Sequence, residues 1–157
     1  MKHIVDAEQY LDAVCDIINS GEASVGIPVK GTSMLPFLND GDTVMLSKAD
    51  PPFTKGDILL FRRKNGQYVL HRVVSADKNG GYVLLGDAQR RNMAETVMPD
   101  RVAAKAVRAV RNGKTVSPDS VSWKFYAGVW CRIILLRQIL LRIASAVNKL
   151  KLFRRLS

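Results

Sequence analysis

Residues 57–85 read DILLFRRKNGQYVLHRVVSADKNGGYVLL, and this stretch decides the fold class. It contains three short runs rich in Val, Ile, Leu, Tyr and Phe, a composition that favours β-strands. Asn65-Gly66 and Asn79-Gly80 separate the runs, and Asn-Gly accepts the positive φ values that tight hairpin turns need. The runs are residues 57–63, 67–75 and 81–85. We therefore predict an antiparallel β-meander in the middle of the protein.

Runs of similar composition extend the predicted sheet on both sides. Residues 25–30 and 43–47 precede the meander. Residues 101–116 are ambiguous, because their Ala-rich spacing favours a helix while alternating valines and Asn112-Gly113 favour a hairpin. We interpret this segment as a hairpin that ends at Pro118, so the predicted fold class is mainly β.

Helical patterns flank the predicted sheet. Residues 5–19 place apolar side chains on one face and acidic side chains on the other, with Gly21 as the stop. A second pattern begins near Ser120 or Ser122, which both suit an N-cap, and runs to about Arg155. The predicted organisation is an N-terminal helix over residues 1–21, a β domain over 22–118 and a basic amphipathic C-terminal helix over 119–157.

The composition limits the classes of function. With 157 residues and 47% apolar side chains, the chain can bury one compact core. The two cysteines, Cys15 and Cys131, and the two histidines, His3 and His71, have no partners at metal-ligand spacing. We therefore expect no metal, no cofactor, and reduced thiols buried in apolar patterns. Acidic residues interrupt the first twenty positions, which predicts no cleavable signal peptide and a cytoplasmic or membrane-peripheral protein.

The net charge of +10 is concentrated near the C-terminal end. Eight of the 24 basic residues follow position 121, where no acidic residue occurs, so residues 1–121 carry 16 basic and 14 acidic side chains. A nearly neutral body does not favour a groove lined with phosphate contacts. Nucleic acid is therefore not an expected partner.

One serine and one histidine have the setting of a nucleophile and its base. Ser33 lies in the segment GTSMLP, where a turn would expose the side chain and Pro36 would restrict the chain behind it. His71 is the only histidine of the predicted sheet region, and its ordinary pKa suits proton transfer near neutral pH. Asp87, in the segment LGDA, would orient the imidazole as the third member of a triad does.

The order of these motifs resembles the S24/S26 serine peptidase clan. The segments GTSMLPFLNDGDTVML, KGDILLF, LHRVV and LLGDA follow one another between residues 31 and 88, and the likeness is closest to the signal peptidase I branch. The resemblance implies a signal peptidase/LexA-like β-fold with Ser33 as nucleophile. It implies His71 as the base, where bacterial signal peptidases carry a lysine, and it places Asp87 on the Asp of the Gly-Asp box.

The resemblance also suggests how the reaction proceeds. Some family members carry a serine two residues before the nucleophile, and Gly31 occupies that place here. Gly31, Thr32 and Ser33 are therefore expected to form the oxyanion and substrate-binding segment through backbone N–H groups. Asp42 and Asp57, in two other Gly-Asp pairs, are interpreted as turn formers. The implied reaction is cleavage of a signal or leader peptide through an acyl-enzyme, with small residues before the scissile bond.

Residues 122–157 suggest contact with a membrane surface. Arg132, Arg137 and Arg142 interrupt the apolar run, so a clean membrane span is absent. A basic amphipathic helix can instead lie in the interface of an anionic leaflet, in place of the anchor that signal peptidases have before the nucleophile. The alternative is a helix that packs on the sheet and leaves its basic face in solvent.

Two other functions remain open from the sequence. A non-catalytic binding or regulatory module can keep the same β-scaffold, because a fold does not determine a function. A repressor-type member of the clan would cleave itself and bind DNA, but the chain has no helix-turn-helix pattern and has a histidine at the base position. The substrate also stays open among a membrane-bound preprotein, a secreted leader peptide and a cytoplasmic chain.

Overall fold

One antiparallel sheet of eight strands dominates the computed structural model, which describes residues 7–21 and 23–130. The strand-rich composition therefore gives a mainly β protein, as predicted. The helices and strands are α1 (Ala7–Asn19), β1 (Val25–Pro28), β2 (Thr43–Ser47), β3 (Ile58–Arg62), β4 (Tyr68–Ala76), β5 (Tyr82–Leu85), β6 (Glu95–Val97), β7 (Val102–Arg111), β8 (Lys114–Val116) and α2 (Val121–Phe125). A π-helical turn, Tyr126–Trp130, continues α2.

The strand order is β1-β2-β7-β3-β4-β5-β6, with β8 paired to β7. The predicted meander is confirmed over β3, β4 and β5, which pair with their sequence neighbours. Strand β6 was not predicted, and it extends the meander at one edge. Strand β7 inserts between β2 and β3, so a late segment of the chain joins the two halves of the sheet.

The hairpin loops confirm the Asn-Gly predictions, with a difference in loop length. Asn112 and Gly113 have φ values of 48° and 72° and connect β7 to β8 directly, as a type I′ turn requires. Gly66 has a φ of 91°, but the Arg63 N–H donates to the Gln67 carbonyl at 2.9 Å, which leaves three residues in that loop. In such three-residue loops only the glycine needs positive φ.

Apolar side chains fill both faces of the sheet, because neighbouring strand residues point to opposite sides. One cluster joins α1, β1, β2 and the segment after Ser33, with Phe37, Leu38, Val44 and Leu46 fully buried. The other cluster lies on the opposite face around Leu59, Phe61, Val73 and Leu84. The alternation along β4 therefore decides which cluster each of its residues meets.

The flanking helices pack against the first cluster. Helix α1 buries Val14, Cys15 and Ile18, and the Cys15 thiol is free, as predicted. Ser120 is the N-cap of α2, since its hydroxyl accepts the Trp123 N–H at 3.3 Å. The rest of the predicted C-terminal helix and Cys131 lie outside the described residues. Within residues 7–21 and 23–130, no helix has both the length and the apolar character to cross a bilayer.

Candidate active site

Ser33 lies on a compact turn between β1 and β2. Gly31, at a φ of 87°, donates its N–H to Asp40 Oδ1 at 2.7 Å, and the Leu38 N–H donates to the Met34 carbonyl at 2.9 Å. The buried side chains of Met34 and Leu38 hold this turn on the core. Ser33 itself is half-buried, and neither its hydroxyl nor its N–H has a hydrogen-bond partner among the described residues.

The two Asp residues interpreted as turn formers have that role. Asp42 Oδ2 accepts the Asn39 N–H at 2.8 Å. Asp57 Oδ2 accepts the Thr54 N–H at 2.8 Å and also pairs with Lys105 Nζ at 2.9 Å. Each carboxylate therefore closes the turn that starts three residues before it.

His71 lies in the middle of β4, opposite Leu59 of β3. Its side chain is only 1% exposed, and its ring centroid lies 5.9 Å from that of Phe61. The imidazole therefore belongs to the face of the sheet that carries the second apolar cluster. Its Nδ1 atom is buried and has no hydrogen-bond partner among the described residues.

Ser33 and His71 line one cavity of about 670 Å³. Residues of α1, the end of β1 and the β3–β4 hairpin complete its wall, with Leu11, Ile27, Met34 and Leu60 among the apolar members and Glu8, Lys30, Arg63 and Gln89 among the polar ones. The structure therefore brings together the nucleophile and the base that the sequence predicted. Among the described residues no hydrogen bond joins the two side chains, and such bonds often tighten only when substrate is bound.

The structure does not bring Asp87 to His71. Both Asp87 oxygens accept hydrogen bonds from Arg72, at 2.8 Å from Nε and 2.6 Å from Nη2, and both side chains are almost fully buried. Arg72 points to the opposite face of the sheet from its neighbour His71, and its guanidinium stacks over the Phe37 ring at 4.8 Å. Burial raises the pKa of Asp87, and the ion pair with Arg72 opposes that rise. The predicted orienting role of Asp87 therefore finds no contact that supports it.

The Gly-Asp box instead positions the serine turn. The Ala88 N–H donates to the Ser33 carbonyl at 2.8 Å, and a Cβ added to Gly86 would lie only 2.6 Å from that same oxygen. The Gln89 side chain accepts the Gly86 N–H at 3.1 Å and reaches the cavity. Glycine at position 86 thus lets the two backbone segments come together beside the nucleophile.

Glu95 is the acid next to the imidazole, and it was not among the residues predicted from the sequence. Its Oε1 lies 3.7 Å from His71 Nδ1, because β6 pairs with β5 and β5 pairs with β4. Arg63 holds the carboxylate with two hydrogen bonds, at 2.7 Å to Oε2 and 2.5 Å to Oε1, and also binds Gln67 at 2.6 Å. No local sequence pattern could have indicated it, because the contact joins residues 24 positions apart through two strand pairings.

Burial keeps His71 neutral. It lowers the pKa of the imidazole to about 4, while the Glu95 charge acts to raise that pKa and the Arg63 charge to lower it. The hydrogen bonds from Arg63 lower the pKa of Glu95, so the carboxylate stays ionised. Within the described part of the chain, no three His, Cys, Asp or Glu side chains are arranged for a metal. Ser33 and His71 therefore line one cavity, where the imidazole is neutral and the serine hydroxyl has no hydrogen-bond partner among the described residues.

The comparisons with known proteins place the chain in a family. No curated protein matches the chain. The model of the Peptidase S24-like family matches residues 1–103, about two thirds of the sequence, and this range includes Ser33, His71 and Glu95. The family match agrees with the peptidase-type motifs of the sequence, and the chain therefore belongs to the Peptidase S24-like family.

Proposed function

We propose that the protein is a serine endopeptidase with Ser33 as nucleophile and His71 as general base. The observation that carries this proposal is the cavity that Ser33 and His71 both line. The Ser33 hydroxyl has no hydrogen-bond partner among the described residues, and the His71 imidazole is neutral. A serine needs a neighbouring base to become a nucleophile, and a histidine can accept its proton only while neutral.

The reaction follows from these two groups. Ser33 Oγ attacks the carbonyl carbon of the scissile peptide bond and transfers its proton to His71. The imidazolium then protonates the leaving amine, which breaks the peptide bond and leaves an acyl-enzyme. Water, deprotonated by His71, hydrolyses the ester and regenerates Ser33. The Ser33 N–H, which has no partner among the described residues, and its neighbour Thr32 would stabilise the oxyanion.

The substrate would bind as an extended strand. Among the described strands, β1 pairs only with β2, and its last residues Ile27 and Pro28 line the cavity that holds Ser33. A peptide added along β1 would therefore run toward the nucleophile, with backbone hydrogen bonds supplying affinity. The motif resemblance favours signal or leader peptides with small residues before the scissile bond.

Covalent labelling tests the nucleophile directly. A fluorescent fluorophosphonate probe should label the wild-type protein and the Ser75→Ala control, whose changed serine is exposed on β4. Ser33→Ala protein should not be labelled. His71→Ala should reduce the labelling rate, because the histidine takes the Ser33 proton. Labelling that persists in folded Ser33→Ala protein would exclude Ser33 as the nucleophile.

The substrate requires a cellular experiment. New N-termini should appear in cells that contain wild-type protein and be absent from cells that contain Ser33→Ala protein. A small residue before each new N-terminus would support a preference of the signal peptidase type. Identical sets of N-termini would contradict proteolysis of cellular substrates.

A binding module is the second candidate, and the lack of a direct Ser33–His71 hydrogen bond among the described residues favours it. In that case the cavity beside β1 would hold an extended peptide without cleaving it. A peptide captured by both wild-type and Ser33→Ala protein, and recovered intact from both, would support binding alone.

We also propose that residues 122–157 contact an anionic membrane. The described part of this segment and the residue before it expose Val121, Phe125 and Val129, which lie four positions apart on one helical face. Seven basic residues follow position 130. An apolar face beside basic side chains suits the boundary between lipid head groups and acyl chains.

A further inference from the structure

We propose that Glu95 is the positioning residue for His71 and that Arg63 holds the Glu95 carboxylate in place for this task. The proposal rests on the proposed peptidase function, which assigns His71 the role of base. It also replaces Asp87, whose carboxylate is engaged by Arg72, as the acid of the site.

The distances fit this role. Glu95 Oε1 lies 3.7 Å from His71 Nδ1, which is somewhat longer than a hydrogen bond. The Nδ1 atom is buried and has no other partner among the described residues, and an unpaired buried polar atom costs free energy. A small movement of the side chain would close an Nδ1–H···Oε1 hydrogen bond. The Nε2 lone pair would then be the one available to accept the Ser33 proton.

Arg63 fixes the position of the Glu95 carboxylate. Its two hydrogen bonds engage both Glu95 oxygens, yet an ionised carboxylate oxygen accepts more than one donor, so Oε1 can serve Arg63 and His71 together. Gln67 fixes the guanidinium from the other side at 2.6 Å. Arg63 also lines the cavity, so this pair connects the wall of the substrate cleft to the base.

The charges of Glu95 and Arg63 have opposite effects on the pKa of His71. Glu95 of β6 and Arg63 of the β3–β4 hairpin act directly on His71, while Glu8 of α1, Lys30 after β1 and Tyr68 of β4 face the same cavity. Removal of the Glu95 charge disfavours the imidazolium, whereas removal of the Arg63 charge favours it. The two substitutions should therefore shift the pKa of His71 in opposite directions.

Nitrogen NMR of His71 tests the proposal without a substrate. The chain has only two histidines, so His3→Gln protein labelled with ¹⁵N-histidine reports on His71 alone. At neutral pH we expect the tautomer with the proton on Nδ1 to predominate. Glu95→Gln should reduce its population, and Glu95→Asp should restore part of it. Arg63→Met should raise the pKa of His71 above the wild-type value. Glu8→Gln, which removes a charge from the same cavity, is the matched control and should leave tautomer and pKa unchanged.

The rate of labelling by the fluorophosphonate probe supplies the catalytic readout. Glu95→Gln should slow labelling of Ser33 at neutral pH by roughly tenfold to a thousandfold, since loss of the orienting acid in related triads costs up to about 10⁴. An unchanged tautomer in folded Glu95→Gln protein would overturn the proposal. If that variant does not fold, an unchanged His71 pKa in Arg63→Met protein would overturn it. The expected NMR changes in a protein that the probe never labels would refute the peptidase function and leave the contact standing.

Discussion

Gly86 shows how one residue positions the nucleophile. Because an added Cβ would lie 2.6 Å from the Ser33 carbonyl oxygen, Gly86→Ala must push the serine turn away from the Gly-Asp box. Displacements of this kind cost about a hundredfold in rate even when the chemical groups remain. We expect at least that loss in the fluorophosphonate labelling rate.

The matched control is Gly128→Ala, because a Cβ at Gly128 meets no atom within 4 Å. It should keep the wild-type labelling rate and thermal melt. A Gly86→Ala protein that labels as fast as Gly128→Ala would show that the turn can shift without consequence.

His71 also gives the protein a specific dependence of stability on pH. The folded state lowers its pKa to about 4, against an ordinary value of about 6.5, so the unfolded chain takes up a proton in this window and the folded protein does not. The contribution of the neutral imidazole is complete above about pH 6.5 and is lost as pH falls toward 4. It amounts to roughly 3 kcal/mol.

Urea unfolding at pH 7 and pH 4.5 measures this contribution. His71→Gln protein has no titrating group at this position, so it should lose less stability between the two pH values than the wild type. The difference between the proteins isolates His71 from the carboxylates that titrate in the same range. Equal losses in both would contradict a neutral buried imidazole. For the same reason, we expect the loss of activity at acidic pH to occur below the ordinary histidine pKa of about 6.5.

At the scale of elements, the alternation along β4 sends His71 and Arg72 to opposite faces of the sheet. The His71 imidazole lies beside Phe61 and Glu95, while Arg72 points to the other face and joins β4 to the loop after β5 through Asp87. Arg72 Nη1 also donates to the Gly56 carbonyl at 3.0 Å, and Trp130 Nε1 donates to the Asp87 carbonyl at 3.0 Å. One buried ion pair therefore connects two loops, a strand and the C-terminal helical segment.

A double-mutant cycle tests this support. Arg72→Met leaves a buried carboxylate without its partner and should cost about 3–5 kcal/mol of unfolding free energy. Asp87→Leu leaves a buried guanidinium and should cost a similar amount. The double variant should be more stable than the sum of the single losses predicts, because neither charge is left alone. Additive losses in urea unfolding would mean that the two side chains act independently.

At the scale of the whole molecule, the C-terminal segment has a part that packs on the domain and a part that we propose contacts lipid. Its described part packs on the domain: Trp123 is buried edge-on against Phe37 at 5.1 Å, and Tyr126 lies 5.0 Å from the same ring. This packing continues behind the serine turn that carries Phe37. The basic residues proposed to meet lipid mostly follow position 130.

Two truncations separate these roles. A protein of residues 1–130 should keep the wild-type melt and lose binding to vesicles of anionic phospholipid. A protein of residues 1–119 should also lose about 3–5 kcal/mol of stability, as expected when a buried tryptophan is removed. Full-length protein should leave the vesicles as salt rises, because salt screens the head-group attraction. If residues 1–130 bind vesicles as well as the full-length protein does, the proposal that the basic residues after position 130 contact lipid is wrong.

Local chemistry accounts for what the sequence alone determined. The strand runs, the Asn-Gly loops, helix α1, the Ser120 cap and the turn roles of Asp42 and Asp57 all depend on residues close together in the chain. Ser33 and His71 were predicted as nucleophile and base from motif order, and both line one cavity. The sequence singled out Asp87 of the Gly-Asp box, but it did not indicate that Arg72 is the partner of this carboxylate.

Long-range pairing decided the rest. Glu95 reaches His71 only because two successive strand pairings carry β6 to β4, and no local pattern encodes that distance. The insertion of β7 between β2 and β3 likewise joins residues far apart in sequence. Period-two alternation sends His71 and Arg72 to opposite faces, but only the folded sheet shows that Glu95 lies on one side and Asp87 on the other. Which carboxylate lies next to His71 is therefore a property of the tertiary structure, because it depends on which face of the sheet each carboxylate meets.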